Sequence, residues 1–216
     1  MARPRSALHE FRRDEILDVA AQCFADHSYP VASMNDIAAA LGTSKARLYH
    51  YYDSKEAILF DLLDRYTQRL LALIGEVEAT AQRRALDERA ALHELVRSFL
   101  HEYQTSATRH TALLHDTKFL SAKPGVAAPD MPPAPSQREL IRNRQRDVVA
   151  AVMRFLRRAY PHSISAENQL AVAMMLFGMI NWTFTWLRPR GAMSYAAFAE
   201  QVIGLLEHGL GDRARA

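Results

Sequence analysis

The sequence predicts an all-α protein. Three observations carry that expectation: apolar residues recur at intervals of three and four, no run of alternating β-branched residues sits between turn signals, and several of the breaks fall at prolines or glycines. Hydrophobic residues make up 49% and charged residues 24% of the 216, which excludes a disordered polar chain and allows a substantial core.

The first helix is expected over about 11–27, with Ile16, Val19, Ala20, Cys23 and Phe24 on one face and Pro30 beyond its end. Cys23 is the single cysteine, so an internal disulfide is excluded and the thiol reads as a small core group. Ser33 and Asp36 have the spacing of a capping box for a short second helix. Gly42 follows, suited to a left-handed turn because it lacks a Cβ, and Thr43 and Ser44 can cap a third helix at once. Ile37, Leu41, Leu48 and Tyr51 supply an inward face and Ala38 is small where the helices approach, which makes a helix-turn-helix.

Asp53 and Glu56 are spaced as a second capping box, opening a long fourth helix over about 54–80. At about 1.5 Å per residue it extends roughly 40 Å. Further helices are expected over about 86–105, 109–120, 137–159, 165–187 and 194–209, nine in all. Five prolines in "SAKPGVAAPDMPPAPSQ" forbid a continuous helix and make 121–136 a loop. Residues 170–187 are uncharged over about the length of a membrane span, but Gly178, Asn181, Thr183 and Thr185 dilute the apolarity. That segment reads as a helix buried in the protein or shared with a partner subunit. The amino terminus is basic with no apolar stretch after it, so a cytoplasmic protein without a signal peptide is expected.

Net charge of +3 decides little, because residues 1–55 hold seven Lys/Arg against seven Asp/Glu. Placement is more informative: Arg3, Arg5, Arg12 and Arg13 lie in the amino-terminal arm, and Lys45, Arg47 and Lys55 around the third helix. In a helix-turn-helix the first turn of the second helix of the motif enters the major groove, which here carries Lys45, Ala46 and Arg47. Arg47 can donate two bonds to guanine, Lys45 can reach guanine or phosphate, and Ala46 permits close approach or contact with a thymine methyl. Ser33, Thr43, Ser44 and Lys55 are candidate phosphate contacts. By role, residues 1–55 are the expected DNA-binding domain and 56–216 a ligand-binding and dimerisation domain. Symmetric DNA recognition implies a homodimer on a near-palindromic operator of double-stranded DNA, with affinity that falls steeply with salt.

The stretch "MNDIAAALGTSKARLYHYYDSKEAIL" resembles the TetR family of bacterial transcriptional regulators. The resemblance implies that three helices form a DNA-binding head, that the fourth links it to a ligand-binding body, and that two carboxy-terminal helices build the homodimer. It also implies phosphate contacts for Tyr49 and Tyr51 and repression by obstructing a promoter. "NWTFTWLRPRG" is similar to the corresponding region of members that respond to acyl-CoA thioesters. Met175, Phe177, Met179, Trp182 and Trp186 are polarizable or aromatic groups able to line an apolar effector pocket. Arg142 and Arg146, with Arg138 and Arg144, can meet the phosphates of a CoA. The effector is then expected to act by changing the pose of the fourth helix and the spacing of the paired heads.

Other classes find less support. His93, His101, His110 and His115 form no HExxH pair, and there is no Gly-rich phosphate loop or nucleophile motif, so neither an enzyme nor a bound cofactor is expected. A metal-responsive regulator using His110, His115 and Asp116 remains open, as does an effector-free architectural protein that binds many weak sites.

Overall fold

The computed structural model describes residues 3–124, 134–188 and 191–211, and side chains over those ranges except at 3–7 and 211. The helices are α1 (Arg3–His27), α2 (Met34–Ala40), α3 (Lys45–Tyr49), α4 (Lys55–Arg83), α5 (Glu88–Thr105), α6 (Ala107–His115), α7 (Gln137–Ala159), α8 (Gln169–Ile180), α9 (Thr183–Trp186) and α10 (Tyr195–Leu206). A 3-10 turn at Thr117–Phe119 and a π turn at Glu207–Gly211 complete the regular structure of the described residues, which is wholly helical. Most of the proline-rich segment lies outside the described residues.

Every expected helix is present, and a tenth arises because the uncharged segment divides. α8 stops at Ile180, Asn181 caps it, and the Thr183 hydroxyl donates 2.9 Å back to the Ile180 carbonyl before α9 begins. Among the described residues no helix is long and apolar enough to cross a membrane. α1 starts well before Phe11, and α4 runs past Thr80 to Arg83. The second capping box differs from expectation: Ser54 Oγ accepts from the Ala57 amide at 3.0 Å, whereas Glu56 Oε1 accepts from the Ser121 amide at 2.7 Å.

By packing, the chain divides into two compact units, Met1–Thr67 with Thr108–Arg142, and Gln68–Ala107 with Asn143–Ala216. This differs from the division by role at 55/56. The first unit closes around Leu17, Ile37, Leu48, Ile58, Leu59, Leu62 and Tyr66, all fully buried. Here α6 is tied to α1 by Arg109, whose Nη2 lies 2.7 Å from the Asp18 carboxylate. Phe119 stacks on Tyr29 with ring centroids 5.0 Å apart. Arg138 closes the base of the proline-rich segment by donating to the carbonyls of Lys118 (2.6 Å) and Leu120 (2.7 Å). The second unit has its own core of Leu92, Leu95, Phe99, Val152, Phe155, Leu176 and Val202, where α10 packs on α5.

Candidate nucleic-acid interface

The helix-turn-helix forms from local chemistry. Ser33 Oγ accepts from the Asp36 amide at 3.3 Å, while the Asp36 carboxylate accepts from the Ser33 amide and hydroxyl at 2.8 Å. The hydroxyl bond and the amide bond hold the Asp36 carboxyl below the usual carboxylate range. α2 ends where Gly42 takes φ +63, with the Gly42 and Thr43 amides donating to the carbonyls of Ala39 and Ala38. Ser44 then caps α3 by accepting from the Arg47 amide at 3.2 Å.

This turn sets the faces of α3. Leu48 is buried against the unit's core, and Lys45, Ala46 and Arg47 are exposed beside one another at the first turn. Tyr49 is exposed with the Lys45 ammonium 5.9 Å from its ring centre. Tyr51 is half-buried and stacks on His9 of α1 at 5.0 Å and 27°. Arg12, Gly42, Thr43, Arg47 and Tyr51 line a concavity of about 210 Å³, so part of α1 adjoins the same surface.

Three expected roles need correction. Lys55 does not offer a free ammonium to phosphate: its Nζ donates to the carbonyls of Tyr29 (2.7 Å), Pro30 (3.3 Å) and Ala32 (2.7 Å) and lies 4.5 Å from the Tyr29 ring. All three of its protons serve the α1–α2 turn. Ser33 likewise spends its hydroxyl on the capping box. Arg13 turns inward, donating to the Tyr52 hydroxyl at 3.2 Å and to Asp61 at 2.9 Å, and the first of these bonds holds its guanidinium charged above the usual range.

Sequence reasoning did not foresee the cluster that receives Arg13. Asp61 on α4 also accepts from the Tyr52 hydroxyl at 2.5 Å and from Arg65 Nε at 3.1 Å, and Arg65 reaches Glu10 (2.7 Å) and Asp14 (3.2 Å) on α1. Burial is the main cause that pushes the Tyr52 phenol well above its ordinary range. Burial alone would lower Arg65, but the bonds to Glu10 and Asp61 outweigh it and raise its pKa. The i,i+4 spacing of Asp61 and Arg65 was the one signal present in the sequence.

The residues expected around an effector are not gathered on one side. Phe177 is buried against Phe99, with ring centroids 6.3 Å apart, and Met179 is half-buried. Met175 instead lies 67% exposed, because two positions on a helix place it about 200° from Phe177, and Trp182 and Trp186, beyond the end of α8, lie 48% and 49% exposed. Arg142 is exposed, and Arg146 donates to Asn143 Oδ1. None of these seven lines the concavities bordered by Arg69 and Glu102, by Arg154 and Arg157, or by Arg97 and Tyr195. Among the described residues no group of three or more His, Cys, Asp or Glu side chains is placed to hold a metal ion, which removes the support for a metal site at His110, His115 and Asp116.

A capped α2, a left-handed Gly42 and a cationic, exposed first turn of α3, carried by an otherwise helical chain, define a helix-turn-helix DNA-binding regulator. A TetR-family transcriptional regulator from Bordetella parapertussis is 34% identical, covering 89% of this chain and 92% of its own with a TM-score of 0.76. Residues 16–62 match the model for bacterial regulatory proteins of the tetR family and 132–210 the tetracyclin repressor-like C-terminal domain. The chain belongs to the tetR family of bacterial regulatory proteins. The transcriptional repressor KstR2 of Rhodococcus jostii is 34% identical over 102 residues, 47% of each chain, so the match spans about half the length of that relative. AibR, solved in complex with isovaleryl coenzyme A and operator DNA, shares the fold at 22% identity, with 90% and 97% of the two chains covered and a TM-score of 0.73.

Proposed function

We propose that this regulator is a cytoplasmic transcriptional repressor that binds a near-palindromic operator as a homodimer and leaves it when a small hydrophobic effector, an acyl-CoA thioester, occupies the body. The observation that carries the DNA-binding half is the exposed row Lys45, Ala46, Arg47 on a helix whose pose is fixed by Gly42 and Leu48. Arg47 reads guanine, Lys45 a guanine edge or phosphate, and Ala46 admits close approach. Thr43, Ser44, Tyr49 and Tyr51 border that row and meet phosphates, which set register on the duplex.

The dimer is supported by apolar side chains left in the open on α8 to α10: Leu170, Met174, Met175, Trp182, Trp186 and Leu205. Such a surface calls for a partner, and a second copy covers it by two-fold symmetry. Met175, Trp182 and Trp186 therefore move from the effector pocket to the interface, and of the remaining two Phe177 lies in the apolar interior beside Phe99. The chemical class of the effector, though not the release of DNA, is supported by AibR, which was solved with isovaleryl coenzyme A and operator DNA together, and Arg142 and Arg146 are exposed cations that suit phosphates.

Titration of a duplex selected from a random library by the purified protein, with and without isovaleryl coenzyme A and longer acyl-CoAs, tests the reading. Loss of duplex binding with an acyl-CoA supports it. Unchanged affinity with every thioester removes the effector and leaves the DNA-binding regulator standing.

A further inference from the structure

Directly after α3 the chain must turn into α4, and that connector carries Tyr51 beside the candidate base-reading helix. Its backbone is held locally: the Tyr51 and Tyr52 amides donate to the Leu48 carbonyl at 3.0 and 3.1 Å. Two of its side chains are anchored at long range: Tyr51 stacks on His9 of α1, and Tyr52, 4% exposed, has a hydroxyl that accepts from Arg13 and donates to Asp61. Arg13 also lies 5.0 Å from the Tyr52 ring centre. Asp61 uses one oxygen for Tyr52 and Arg13 and the other for Arg65, which extends to Glu10 and Asp14. One carboxylate thus fixes the connector to α1 and α4 together. None of these groups stands among the exposed side chains of α3.

We infer that Asp61 is a positioning residue for DNA recognition: through Tyr52 and Arg13 it sets where α3 and Tyr51 stand relative to α1, without touching DNA. This rests on the DNA-binding reading above. A shared carboxylate of this kind acts as a unit, because removing it leaves a part-buried guanidinium and a buried phenol without their acceptor. The loose connector must then be ordered when DNA binds, so affinity and base discrimination fall together while the number of phosphate contacts stays the same.

The test compares Asp61→Asn, Tyr52→Phe and Arg109→Gln in the full chain, on the library-selected duplex. Arg109→Gln is the control, since it breaks an ion pair of the same unit that is remote in sequence from the connector. Asp61→Asn is expected to weaken the duplex about tenfold with an unchanged salt slope, to narrow discrimination against a duplex altered beneath Arg47, and to speed amide exchange at Tyr51 and Tyr52. Tyr52→Phe keeps the packing and should shift the same readouts in the same direction, and it carries the test if Asp61→Asn fails to fold. Arg109→Gln should lower thermal stability with affinity and exchange at those amides unchanged. Wild-type affinity in Asp61→Asn alongside a lowered melting temperature would reduce the cluster to plain stabilisation. A slope flattened by about one would make Arg13 or Arg65 a phosphate contact instead, and tighter binding would equally overturn the inference. If the wild type binds no duplex, the DNA-binding reading fails, whereas faster exchange at Tyr51 and Tyr52 in Asp61→Asn alone still supports the anchoring and its absence overturns it.

Discussion

The Lys55 ammonium sits 4.5 Å above the Tyr29 ring and donates to that residue's own carbonyl at 2.7 Å. Two more carbonyls, of Pro30 and Ala32, complete its partners, so this lysine organises the turn between α1 and α2. Lys55→Met keeps the aliphatic stem and removes three donors. It should destabilise the protein by about 2 kcal/mol, measured by denaturant titration, and leave the salt slope of DNA binding unchanged. A slope flattened with stability intact would restore the phosphate role.

The short α3 depends on its entry. Ser44→Ala removes the acceptor of the Arg47 amide and should cost about 1 kcal/mol. Gly42→Ala meets no steric neighbour but places a Cβ at φ +63, which costs about 1 kcal/mol. Both changes should weaken duplex binding more than their stability loss predicts, since α3 has only five residues and carries the base-reading row. Calorimetric stability alongside affinity checks this, and affinity equal to wild type would separate the turn from recognition.

Burial raises the Asp116 carboxyl, with the nearby His115 and Lys118 charges opposing that shift. A carboxyl raised in the folded state favours folding when protonated, so its contribution is present below the unfolded pKa of about 4 and is lost as pH rises through the folded value. Asp116→Asn should therefore raise the melting temperature near pH 7 and make no difference near pH 3. An equal effect at both pH values would place its cause outside titration.

Exposed Trp182 and Leu205 carry the expectation of a dimer. Trp182→Glu with Leu205→Glu should shift sedimentation from dimer to monomer and weaken operator binding by at least tenfold, because two linked heads gain affinity together. A dimer that survives both charges would place the interface elsewhere.

How far the sequence could be read follows from the range of each interaction. The α2–Gly42–α3 motif was legible because its caps act over three residues, and α7 was legible at 137–159 because the proline-rich stretch and Pro161 bound it. The break after Ile180 was not, since the segment stays uncharged across Asn181 and Trp182 with no proline or glycine there, and only packing decides which face is covered. Lys55 and Arg13 look like DNA-facing cations in sequence. Their partners lie 23 to 48 positions away, at the Tyr29, Pro30 and Ala32 carbonyls and at Tyr52 and Asp61, where local pattern carries no information. Met175 and Phe177 were grouped by chemistry, and the helix parts them to opposite sides.

The most direct measurement is the affinity of wild type and Arg47→Ala for the selected duplex and for single base-pair variants of it, over a range of salt. Wild type should bind as a dimer with a steep salt dependence, and Arg47→Ala should lose discrimination at one base position per half-site while discriminating normally elsewhere. Equal affinity of wild type for every duplex, or full discrimination retained without the Arg47 guanidinium, would contradict the assignment of α3 as the reading helix.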